Sequence, residues 1–221
     1  PNACETAYNL IIKNNVDIIW FSYARQIYYE DGSVSDIIVQ NPSCEEFSYG
    51  REQIQNLYLI DKYRGIELLW NKIYKTELIK LAYGKTDNFY CTYCEDNYAN
   101  YYISYYAETM LGVSTEPLFV HYFGRGINGN SYISLEKFER ICQIEQTAKH
   151  IRNFLEREST LESQKKYLSE YEKGRRNYCC NAFSRRVAPD DFDQAVKILY
   201  SYWNEKDDAE EITLNLLTQL R

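Results

Sequence analysis

Histidine is nearly missing: His121 and His150 are the only two in 221 residues. A Ser-His-Asp relay needs an imidazole held between a nucleophile and a carboxylate, and two isolated histidines do not propose one. Long apolar runs are missing too. No stretch approaches the roughly 18–20 residues that a membrane-spanning helix requires, so no membrane partner is expected. The first residues show no basic segment followed by an apolar one, the pattern of a secretory leader. No segment repeats, and there is no low-complexity tract. Positive charge is not in excess: 25 Lys and Arg face 32 Asp and Glu, a net of −7. That balance argues against the whole surface serving as a nucleic-acid platform. The seven cysteines are odd in number, and Cys179 and Cys180 are adjacent. This does not look like a disulfide framework, so a reducing, cytoplasmic location is expected, in a cell or in the intracellular phase of a virus.

The chain does have enough apolar content, 45%, to build a core at ordinary charge density, which excludes disorder. Its departure from average is tyrosine, 23 residues, with pairs at Tyr28-Tyr29, Tyr101-Tyr102 and Tyr105-Tyr106. A phenol combines a large apolar ring with a hydroxyl that wants a partner, so it suits half-buried positions and contact surfaces.

Local signals predict a helix-rich α+β fold, with a small antiparallel sheet or hairpins packed against about seven helices. Residues 3–14 read as a short helix. Two β-rich runs, 16–29 and 34–39, flank Asp31-Gly32-Ser33 and predict a hairpin. Helices are expected over 51–63 and 66–83, the second closed by Gly84, and over 97–111, stopped by Gly112. A short strand is expected at 88–93 and another at 118–123, followed by a glycine-rich turn over 124–130. Ser134 should cap a long helix to Glu158, and Ser159-Thr160-Leu161-Glu162 reads as a capping box for a polar helix ending at Lys173. Pro189 is placed for a helix start, and Ile212, Leu216, Leu217 and Leu220 for a last helix. The polar, basic stretch after Gly174 suggests a main α+β part, 1–174, and a C-terminal helical part, 175–221, packed on the same domain.

Several motifs are candidates for chemistry. Cys91-Thr92-Tyr93-Cys94, between a strand and a helix, is placed for a thiol pair activated by a helix N-terminus. With Pro117 ahead of a strand and a glycine turn, the order resembles the thioredoxin-like proteins. That resemblance implies a nucleophile at Cys91, a resolving thiol at Cys94 and a cis-proline at Pro117. The same cysteines fall short of the two close pairs of a structural zinc site, so no metal or cofactor is expected. Gly124-Arg125-Gly126-Ile127-Asn128-Gly129 matches a dinucleotide fingerprint, yet no helix starts inside it, so it reads as a turn needing positive φ. The one basic patch is Lys165, Lys166, Lys173, Arg175, Arg176, Arg185 and Arg186, interleaved with aromatic rings, a pattern that suits phosphate contacts and base stacking.

Tyr28 to Val34, His121-Tyr122-Phe123 with Ile133-Ser134-Leu135 after it, and Tyr202-Trp203 are similar, in order, to stretches of cypovirus polyhedrins. That resemblance implies a tyrosine-rich viral protein that self-associates. The leading expectation is therefore a non-enzymatic assembly or interaction protein whose partner is itself or another protein. Tyr101, Tyr102, Tyr105 and Tyr106 are its candidate contact surface, since four consecutive rings on one helix should not all point inward. A cysteine-dependent enzyme using Cys91 and Cys94, and a nucleic-acid binder using residues 165–186, are the alternatives.

Overall fold

Local signals are followed closely at the start of the chain. Helix α1 (Ala3–Asn14) stops where Asn15 enters the left-handed region at φ 48°, a conformation asparagine tolerates. Its inner face places Ala7 and Ile11 in a small core with Val16, Ile19, Phe21 and Leu111. The computed structural model of the protein describes residues 2–29, 31–42, 47–61, 66–91, 93–124, 132–203 and 212–213. The chain forms two units, Pro1–Thr86 with Asp96–Gly129, and Asp87–Glu95 with Asn130–Arg221.

The first unit contains all seven described strands: β1 (Ile18–Phe21), β2 (Tyr23–Ile27), β3 (Ile38–Gln40), β4 (Phe47–Tyr49), β5 (Lys72–Tyr74), β6 (Thr109–Val113) and β7 (Val120–Phe123). They make a four-stranded sheet, β4-β6-β1-β5, and a three-stranded sheet, β3-β2-β7. The α+β class holds, and each sheet is mixed, because β1 runs parallel to β6 and β2 parallel to β7. Every residue of β1 is buried, as a continuous Ile-Ile-Trp-Phe run at a sheet centre should be. The run predicted over 16–29 is split at Ser22. Its buried hydroxyl donates to Asn41 Oδ1 at 2.8 Å and accepts from the Thr115 amide at 3.0 Å, and there the chain leaves one sheet for the other. The predicted hairpin is present. β2 pairs with β3, and Tyr28 bridges to Val34 around Gly32 at φ 83°.

The helix expected over 51–63 is present as α2 (Arg51–Gln55) and a wider π-turn, Asn56–Asp61. The helix expected over 66–83 is half as long. Residues 72–74 instead form β5, the antiparallel neighbour of β1, and only α3 (Thr76–Tyr83) is helical. Gly84 follows it with a right-handed φ of −65° rather than a left-handed cap. A Cβ there would approach the Lys80 carbonyl to 2.9 Å, which accounts for the glycine. The segment 88–91 forms neither strand nor helix, and the Phe89 amide turns back to the Asp87 carbonyl at 3.1 Å. Helix α4 (Glu95–Tyr106) ends earlier than its apolar run suggested, because Met110, Leu111 and Gly112 pair with β1 as buried strand.

The second unit is helical: α5 (Leu135–Cys142), α6 (Glu145–Arg157), α7 (Leu161–Arg186), a 3-10 turn at Pro189–Asp191 and α8 (Phe192–Tyr202). Ser134 caps α5 as expected, its hydroxyl accepting from the Lys137 amide at 3.2 Å. The single helix predicted from there to Glu158 is interrupted at Gln143-Ile144. The buried Thr147 hydroxyl takes the Ile144 carbonyl, a local bond that competes with the helical ladder. Ser159 does not open a capping box. It closes α6 in the left-handed region at φ 57°, with the Thr160 amide bonded to Leu155 O and the Ser159 amide to Glu156 O, a Schellman ending. α7 then runs through Gly174 instead of stopping at Lys173. Its buried side chains continue from Leu168 and Tyr171 to Cys179, Cys180 and Phe183, and that burial outweighs the roughly 1 kcal/mol a mid-helix glycine costs. Cys179, Cys180 and Phe183 share a core with Phe138, Ile141, Cys142, Leu199 and Trp203. Of the last predicted helix only Ile212 and Thr213 are described, both helical, with the Ile212 side chain buried.

Candidate functional site

The tyrosines expected at a contact surface are inside the first unit. Tyr101, Tyr102 and Tyr105 are at most 3% exposed, and Tyr106 is half-buried. Every residue from Tyr98 to Tyr105 is buried, so α4 is enclosed on all sides and the rule of one wet face does not apply to it. The rings pack on one another. Tyr98 and Tyr102 meet edge to face at 5.1 Å with their hydroxyls 3.2 Å apart, Tyr105 and Tyr106 meet at 4.9 Å, and the Arg51 guanidinium lies over Tyr105 at 4.4 Å. These rings build the core of the unit and do not form a docking surface.

The cysteine pair lies in the second unit, with neither thiol activated. Cys91 Sγ donates to the Tyr93 carbonyl at 3.0 Å, and Cys94 sits at a left-handed φ of 59°. Burial pushes both thiols up to about 11, against the opposing charge of Arg175, the reverse of what a thiolate nucleophile needs. Pro117, the residue matched to a cis-proline, follows a trans bond. Among the described residues no group of three or more His, Cys, Asp or Glu is placed to hold a metal. His150 is not isolated, as its sequence context suggested. Its Nδ1 is 2.7 Å from Asp87 Oδ2, Phe89 stacks on the ring at 4.1 Å, and Arg157 reaches the other oxygen of Asp87. Those contacts fasten the 87–91 segment to α6, and among the described residues no hydroxyl or thiol bonds to the imidazole. Of the glycine motif only Gly124 is described. Its φ is 95°, and a Cβ would sit 2.2 Å from Tyr28 O, so glycine is required there. The rest lies outside the described residues.

The basic segment is divided by the geometry of α7. Lys165, Lys166, Lys173 and Arg185 are exposed, whereas Arg175, Arg176 and Arg186 are half-buried. Arg175 lies over Tyr171 at 5.2 Å and Arg176 over Trp203 at 5.7 Å. Part of the predicted patch is thus engaged with the unit's own rings.

A surface that sequence reasoning did not single out is the three-stranded sheet. Tyr23, Arg25 and Ile27 of β2 share one face with Ile38 and Gln40 of β3 and with His121 and Phe123 of β7, since paired residues point the same way. Trp70 closes the inner end of that face, 4.8 Å from Tyr23 and 5.0 Å from both Phe119 and His121. Toward the hairpin, exposed apolar side chains occur on both faces of the sheet. Ile38 (46%), Phe119 and Phe123 lie on this face, Val39 (49%) and Tyr122 on the other, and Ile37 (59%), Tyr29 and Val34 flank the strands. The only hint in the sequence was the absence of strict alternation in the 34–39 run.

No family model matches the chain, and no curated protein matches it. Among the described residues, no helix is long and apolar enough to cross a membrane.

Proposed function

We propose that this protein acts by contact and not by catalysis, associating with copies of itself through the outer strand β3. One observation supports this most strongly. An edge strand pairs on one side only, with β2, among the described strands, and together with Ile37 just before it presents three half-exposed aliphatic side chains. Unpaired backbone beside exposed β-branched residues is a template for another strand where no charge, proline or bulge interrupts it, and none falls within Ile38–Gln40. Residues 37–42, Ile-Ile-Val-Gln-Asn-Pro, carry no charge at all. Two identical neutral strands meet antiparallel across a two-fold axis without the like-charge repulsion that the rest of a −7 chain presents to its own copy. Ile37 and Val39 of one copy then cover their counterparts.

The resemblance to polyhedrins lends support from a second direction. Two of the stretches that carry it meet at the hairpin end of this sheet, where the Tyr28 amide donates to Phe123 O at 2.8 Å and Tyr28 bridges to Val34. Burying the exposed halves of three aliphatic chains contributes about 3 kcal/mol per copy, close to the lower range of association costs. The association is therefore weak and rises with concentration. Sedimentation equilibrium should show a mass climbing from 26.3 kDa toward its double or beyond, and Val39→Lys should hold it at the monomer. A strict monomer at every concentration, or an unchanged Val39→Lys, would count against the proposal.

A further inference from the structure

We infer that the Arg25 face of the three-stranded sheet is a platform for a short single-stranded oligonucleotide, with bases on Phe119 and Phe123 and a backbone phosphate on Arg25. The inference uses other residues than the β3 edge and stands apart from self-association. His121 and Phe123 alternate along β7 and Phe119 immediately precedes it, so side chains on one side repeat about every 6.6 Å, and the His121 and Phe123 centroids are 6.3 Å apart. Trp70 and Tyr23 back the inner end by close ring packing, which fixes the row, while Phe119 and Phe123 stay exposed. A rigid row of exposed rings on a sheet suits successive unstacked bases, because every base has a π-face.

Charge selects the ligand further. Five other cations pair with carboxylates, Lys75 with Asp17, Arg140 with Glu136, Lys149 with Glu145, Arg152 with Glu172, and Arg157 with Asp87. Arg25 makes no ion pair among the described residues. Its guanidinium carbon lies over the Phe123 ring, 4.3 Å from the centroid, and its buried Nε has no hydrogen-bond partner. An anion that also carries flat rings satisfies both features. An acidic peptide would satisfy only the cation. His121 is held below the ordinary imidazole range by burial and by the charge of Arg25, so it is neutral at pH 7 and a single cation faces the backbone.

That count gives the test a signature. Anisotropy of a fluorescein-labelled oligothymidylate, titrated with the full chain, should report binding with a log K against log salt slope of about −0.7, the value for one phosphate on a single strand. A contact through α7, with its several lysines and arginines, would be several times steeper. Phe119→Leu and Phe123→Leu, which keep apolar volume, should each weaken binding at least about fivefold. Arg25→Gln should weaken it and flatten the slope. Ultraviolet cross-linking of the unaltered protein should map to the peptide holding Phe119 and Phe123, a readout independent of how the variants fold. The inference is overturned by no anisotropy change up to about 1 mM protein. A steep slope indifferent to Phe123→Leu, or equal binding of oligoglutamate or inorganic polyphosphate, would overturn it as well.

Discussion

Lys72 should make the stability of the first unit depend on pH in a window where few proteins change. Its side chain enters the interior from β5 at 7% exposure. The ammonium donates to the Leu68 carbonyl and to Asn71 Oδ1, and lies 5.5 Å from the Trp20 ring and 5.8 Å from that of Tyr58. Burial lowers its pKa from 10.5 to about 7, with Glu67 and Asp96 pulling weakly the other way. Between pH 7 and pH 10.5 the unfolded chain therefore holds a proton that the folded chain does not. Stability must rise with pH across that window, by about 1.4 kcal/mol per unit and on the order of 5 kcal/mol in all. Below pH 7 both states are protonated and the slope vanishes. Urea melts at pH 7, 8 and 9 on the protein and on Lys72→Met isolate this group, since the difference between the two unfolding free energies should shrink or grow along that slope. Staying below pH 10 keeps the tyrosines from contributing. A difference that is flat from pH 7 to pH 9 would refute the idea that this ammonium is stripped of water in the folded state.

Three further outcomes check other parts of the structure. Gly124→Ala should destabilise by about 1–3 kcal/mol or more in thermal melts, because φ 95° disfavours a side chain and the new Cβ would strike Tyr28 O; a silent substitution would mean the β7 turn is placed wrongly. Tyr101→Ala should cost about 3–5 kcal/mol of unfolding free energy and Tyr90→Ala, at 90% exposure, under about 0.5; similar effects would return the α4 rings to the surface. Alkylation of Cys91 should be slow at pH 7 and accelerate toward pH 11, where burial places its thiol; fast modification at neutral pH would restore a thiolate-based activity.

What sequence could deliver was local. The α1 boundary, the Asp31-Gly32 hairpin and the Ser134 cap rest on side chains acting within a few residues, and all three were readable. Residues 66–74 were misread as helix because Ile66, Leu69, Trp70 and Ile73 fit a helical period, while β1 needs an antiparallel neighbour that only the tertiary fold reveals. The helix ending at Lys173 failed for a related reason: the stripe that carries α7 past Gly174 is buried by elements far away in sequence. A tyrosine surface on α4 requires a helix with one wet side, and enclosure of α4 is not a property of its own sequence. The three-stranded sheet was least legible of all. It joins β2 to β7 in parallel across nearly a hundred residues, with Ala24 opposite Val120, and no spacing rule announces such a pairing.

Hydrogen exchange along residues 37–40 tests the account most directly. If copies pair through β3, its backbone amides should gain protection as protein concentration rises, while the amides of segment 87–91 in the other unit stay unchanged. Exchange at 37–40 that is equally fast at every concentration, in a sample whose mass nevertheless increases, would place the interface elsewhere and contradict the proposal.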